Sequence, residues 1–85
     1  MYIDLPPNLY DHLYNGLVIE QILLAEEVEK FCNIKNAQAC VLALPNFKGD
    51  KCFILLPIVG KGGVTKVTQD LLRRHEVAHC NGWKH

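Results

Sequence analysis

Hydrophobic positions along this chain change their period from one stretch to the next. From Leu17 to Cys32, the residues Val18, Ile22, Ala25, Val28 and Cys32 recur at helical spacing, with Leu24 and Phe31 beside the stripe. Glu20, Glu26, Glu27 and Lys30 fall off that stripe. Glu26 and Lys30 stand four apart, the spacing at which opposite charges on a helix surface attract. The pattern predicts one helix over residues 17–32, stopped at Asn33, which tolerates the left-handed backbone of a helix end. Ahead of it, DLPPNLYDHLYNG (4–16) reads as a turn or the first turn of a short helix around Pro6 and Pro7, broken at Gly16.

Two shorter apolar runs follow, ACVLAL at 39–44 and KCFILLPIV at 51–59, with enough β-branched and aromatic residues to predict strands. Between them PNFKGD (45–50) supplies turn residues, so an antiparallel hairpin is expected. Pro57 has no N–H to give to a ladder, which places the second strand at a sheet edge, at least near its end. GKGG (60–63) lacks the Lys-Ser/Thr of a phosphate-binding loop and reads as a flexible connection. It leads into a last helix, capped by Thr65 or Thr68, with Val67, Leu71, Leu72 and Ala78 on its apolar face and Asn81–Gly82 at its end. The expected order is helix, strand, strand, helix. This is a small α+β domain of αββα order filling residues 1–85.

A chain of 85 residues buries a modest core, so help from a metal, a disulfide or an oligomer interface is expected. Lys plus Arg equals Asp plus Glu, which leaves no basic footprint for nucleic acid or an anionic membrane. MYIDLPPNLY lacks the basic and apolar regions of a signal peptide, and no apolar run is long enough to span a bilayer. Cys32, Cys40, Cys52 and Cys80 form no C-x-x-C pair. The expectation is buried, reduced thiols in a soluble protein, cytoplasmic or built into a virion; two disulfides in an exported domain are the alternative.

The chemistry is concentrated at the end of the chain. RRHEVAHCNGWKH contains His75-Glu76, His79, Gly82 and His85 as H-E-x-x-H-x-x-G-x-x-H. Residues four apart on a helix point the same way, so His75 and His79 can share one ion. Glu76, about 100° around the helix, is placed to take a proton from a water activated there rather than to ligate. Gly82 can take positive φ and turn the chain so that His85 supplies a third ligand, leaving a position open for water. Trp83 reads as packing, with support of the metal loop as its functional alternative; Cys80, His12, Tyr10 and Tyr14 read as non-ligands, and Arg73 and Arg74 as solvated.

HEVAHCNGWKH resembles the zinc-binding consensus of the metzincin clan of zincin metallopeptidases, and is similar to short zincin-like proteins of bacteriophages and prophages. The resemblance implies zinc held by His75, His79 and His85, Glu76 as general base and acid, Gly82 as the hinge, and a minimal zincin-like core in which an edge strand lies above the metal helix. The expected function is therefore a zinc-dependent hydrolase, a small metallopeptidase whose peptide or protein substrate lies along the strand from Cys52 to Val59. The alternative is a non-catalytic, zinc-stapled structural or interaction protein of a larger assembly such as a phage virion, with a partner completing the site.

Overall fold

At Gly16 the chain comes so close to Asp50 that a Cβ would collide with the Asp50 carbonyl oxygen, and two strands leave this junction side by side. The computed structural model describes residues 3–42 and 50–84. In chain order the elements are β1 (Leu17–Leu23), α1 (Ala25–Cys32), β2 (Cys40–Leu42), β3 (Lys51–Pro57) and α2 (Lys66–Cys80). They form a small α+β fold with a three-stranded sheet ordered β1-β3-β2. β1 runs parallel to β3 from Leu17↔Lys51 to Leu23↔Pro57, and β2 runs antiparallel to β3 from Cys40↔Leu55 to Leu42↔Phe53.

Three sequence expectations are corrected. The helix over residues 17–32 is split: its first half is β1, and only Ala25–Cys32 is helical. Val18, Ile19 and Ile22 are β-branched, and every residue of β1 finds a partner along β3, which outweighs a helical stripe shared with α1. The order is thus βαββα rather than αββα. Second, β3 is the middle strand, paired on both sides over Phe53–Leu55, and only near its end, at Pro57, does it stand as an edge on the β2 side. Ile58 N–H donates to Leu23 O, so even-numbered N–H groups of β3 point to β1 and odd-numbered ones to β2. The N–H that Pro57 lacks would face beyond the first residue of β2, where the ladder has already ended. An added strand of substrate from Cys52 to Val59 therefore has no room beside Phe53–Leu55.

Third, the cysteines are not reduced. Cys32 is bonded to Cys40, tying the end of α1 to β2, and Cys52 to Cys80, tying β3 to the last residue of α2. The antiparallel β2–β3 pairing is as expected, while the turn residues Pro45–Gly49 lie outside the described residues.

The two helices cover opposite faces of β3. Cys52, Ile54 and Leu56 pack with Leu72 of α2, joined by Val18, Val41, Val77 and Cys80. Leu55 packs with Val28 of α1 and with Cys40, joined by Leu23, Cys32, Leu42 and Phe53. α2 begins as expected: the Thr65 hydroxyl accepts the Thr68 N–H at 3.1 Å. Its end is also the expected one. Gly82, at φ 108°, sends its N–H to His79 O, and Trp83 N–H returns to Ala78 O, closing a Schellman turn. α1 ends at Asn33 in the left-handed conformation (φ 57°). Among the described residues, no helix is long and apolar enough to cross a membrane.

Candidate functional site

The second half of α2 is held from outside by the segment before β1. Asn81 Nδ2 donates to Tyr10 O at 3.0 Å and to His12 O at 2.7 Å. Arg74 donates to the Asp11 carboxylate, which lowers the Asp11 pKa through that hydrogen bond and raises that of Arg74. Arg73, expected to be solvated, instead grips Glu20 of β1 through Nε at 2.6 Å and Nη2 at 3.0 Å, and also reaches Asp70. These contacts fix the rotation of α2 over the sheet, and with it the direction of the next turn.

That turn carries His75 and His79, whose Nε2 atoms lie 3.1 Å apart. Each ring is oriented by its other nitrogen: His75 Nδ1 lies 2.7 Å from Asp4 O, and His79 Nδ1 lies 2.7 Å from Trp83 O. Carbonyl oxygens only accept, so both Nδ1 atoms carry hydrogen. The neutral rings would then turn two Nε2 lone pairs on one another. The two Nε2 atoms thus approach within 3.1 Å on the same side of α2. Two imidazoles on one tetrahedral zinc stand about 3.3 Å apart, close to what is observed. The Trp83 indole stacks on His79 with centroids 4.9 Å apart and meets His75 edge-on at 4.8 Å. Of the two readings of Trp83, ring support is the one its position favours.

Glu76, between them in sequence, is buried (7% exposed). Burial pushes its pKa up from 4.5 to about 7, because the anion loses hydration. Its side chain lines two openings. One, of about 330 Å³, is shared with Ile3, Asp4, Gln38 and His75. The other, of about 390 Å³, is shared with His75, His79, Ile34 and the β2 residues Cys40 and Val41.

The expected site residues thus divide. His75, His79 and Glu76 are brought to one place, while His85 lies outside the described residues. Gly82 turns the chain as expected. Cys80 is committed to its disulfide, and His12 lines a different opening with Asp11, Arg73 and Arg74. Sequence reasoning missed Asp4, whose backbone oxygen positions His75 from 71 residues away; no side-chain pattern signals such a contact.

The resemblance to zincin metallopeptidases is overturned. Among the described residues, no group of three or more His, Cys, Asp or Glu side chains could hold a metal ion, and the chain is instead stapled by two disulfides. Compared with known proteins, the chain matches no family model, and neither a curated protein nor a solved structure is significantly similar to it.

Proposed function

We propose that the protein is a metal-dependent hydrolase in which His75 and His79 together take one divalent cation and Glu76 moves the proton. The observation that carries this reading is the 3.1 Å approach of the two Nε2 atoms, with both Nδ1–H groups already spent on Asp4 O and Trp83 O. A carbonyl partner on Nδ1 fixes the tautomer in which Nε2 is the ligating atom. Zinc suits two imidazoles at this separation, and the third ligand is assigned to His85 as part of the same proposal. When bound, such an ion supplies Lewis acidity to a water and to the carbonyl it attacks.

The chain's own residues would do the rest. Burial raises the Glu76 pKa to about 7 in the metal-free chain and a bound cation would lower it again, leaving a carboxylate that can accept a proton at one step and return it at the next. Its burial keeps bulk water from competing for that proton. The opening beside His79 is bounded by the outer strand β2, which gives a carbonyl substrate an approach from that side. The alternative, a purely structural metal, has less to explain, because Cys52–Cys80 already clamps the end of α2.

Two measurements test the proposal. Zinc titrated into chelator-treated protein should bind at about one ion per chain, with the affinity reduced tenfold or more in His75→Ala and His79→Ala. Zinc-loaded wild type should hydrolyse an activated ester or amide, and Glu76→Gln should bind zinc without turning over. Wild type that binds no zinc would overturn the site, and a Glu76→Gln variant with full activity would overturn its role.

A further inference from the structure

The outer edge of β1 suits a second copy of this chain. We infer that two copies pair antiparallel through β1, with a twofold axis at Glu20, to form one continuous sheet. Among the described residues β1 lies at the end of the sheet, with β3 on one side and no strand on the other. Leu17 N–H donates to Asp50 O at 2.8 Å, and Leu23 O accepts from Ile58 N–H at 2.8 Å. Both odd-numbered groups therefore point inward to β3. The N–H and C=O of Val18, Glu20 and Ile22 point outward, because these groups alternate along a strand.

That alternation selects the register. Closely hydrogen-bonded pairs in an antiparallel ladder exchange both N–H···O bonds, so outward residues must face outward residues. Centring on Glu20 sets Val18 opposite Ile22 of the other copy, and Glu20 opposite Glu20. It also sets Leu17 opposite Leu23 and Ile19 opposite Gln21 in the wide pairs. Apart from Ile19–Gln21 and the centre, every cross-strand pair is apolar on apolar. The sequence LVIEQIL is thus self-complementary about its middle residue.

The charge at the centre does not oppose this axis. Two carboxylates directly opposite would repel, but each Glu20 is already held by both Nε and Nη2 of Arg73. Two neutralised pairs, not two bare anions, meet at the twofold. Edge strands are ordinarily blocked by lysine, proline or a bulge. β1 contains no lysine or proline and keeps a continuous register, and its one charge is turned onto α2. Its seven residues span roughly 24 Å, a single-strand interface smaller than a standard one, so association in the micromolar range is expected.

Sedimentation velocity on the intact chain, from low micromolar to near millimolar concentration, tests this. Wild type should pass from monomer to dimer. Ile22→Pro removes an outward N–H and leaves the ladder to β3 intact, so it should remain monomeric. Ile22→Lys, which keeps that N–H and sets a cation opposite Val18, should do the same while retaining the circular dichroism of the wild type. In a mixed sample of labelled and unlabelled chains, isotope-filtered spectra should show an intermolecular contact between the α-protons of Ile19 and Gln21. Wild type that stays monomeric throughout, or a dimer that survives both folded variants, would overturn the interface. A dimer without the Ile19–Gln21 contact would overturn the register.

Discussion

Cys80, the residue after His79, is bonded to Cys52, whose side chain is buried at the centre of the sheet. The histidine pair therefore stands one residue from a covalent anchor in the core. In the chain-entropy description, closing a loop with a separation of 28 residues stabilises by about 3.5 kcal/mol. The Cys32–Cys40 bridge, with a separation of 8, contributes about 2.5 kcal/mol. The paired change Cys52→Ala/Cys80→Ala should lower the midpoint of thermal unfolding by roughly 15 °C or more in a domain this size. Cys32→Ala/Cys40→Ala should cost less. Calorimetry of both variants checks the order, and an unchanged midpoint for the first pair would refute the anchor.

Gly82 gives a cleaner test of the turn behind His79. An added Cβ would meet nothing closer than Tyr10 Cε1 at 3.8 Å, so Gly82→Ala introduces no clash. What it does introduce is a side chain at φ 108°, a backbone region L-residues avoid. Urea denaturation should show a loss of about 1–2 kcal/mol at unchanged m-value. A neutral result would mean that the Schellman turn adapts freely.

Where the chain's pattern has a single interpretation, local structure is legible in the residues alone. Gly82 as stop, Asn33 as stop and the antiparallel pairing of β2 with β3 all follow from local chemistry, while the cap of α2 is narrowed to Thr65 or Thr68 and falls on Thr65. β1 was not readable, because a spacing of four serves both periods. Val18 and Ile22 share one face of a helix and equally one face of a strand. What decides is β3, thirty-odd residues away, and the close approach permitted by Gly16. Pro57 signals an edge only locally, where the neighbouring strand has already ended, and says nothing of the pairing over Phe53–Leu55. Four cysteines allow several pairings, none fixed by spacing. Within the site, the adjacency of His75 and His79 was legible. The carbonyls of Asp4 and Trp83 that orient them were not, because backbone oxygens carry no sequence signature.

Trp83 should matter to metal affinity more than to folding. Its ring stacks on His79 at an interplanar angle of 10°, while its carbonyl holds His79 Nδ1. Trp83→Ala keeps the carbonyl and removes the stack; Trp83→Phe keeps much of both. Zinc affinity by isothermal titration should fall about tenfold or more in the first and far less in the second, as with other groups that orient a ligating ring. Equal affinity in wild type and Trp83→Ala would confine the indole to packing.

Glu76 makes stability depend on pH in a direction opposite to that of an ion-paired carboxylate. In metal-free protein its folded-state pKa is raised from 4.5 to about 7 by burial. Between those values the folded chain holds a proton that the unfolded chain has released. Stability therefore falls as pH rises through this window, and the full penalty is present above it. The interval corresponds to about 3 kcal/mol. Glutamine has the same shape and no proton to lose, so Glu76→Gln should match wild type near pH 4 and exceed its stability by up to about 3 kcal/mol near pH 8. Chemical denaturation at several pH values in the presence of chelator measures the difference. A constant offset across the range would show that Glu76 ionises as freely folded as unfolded, and its place as a proton carrier beside His75 and His79 would fall with it.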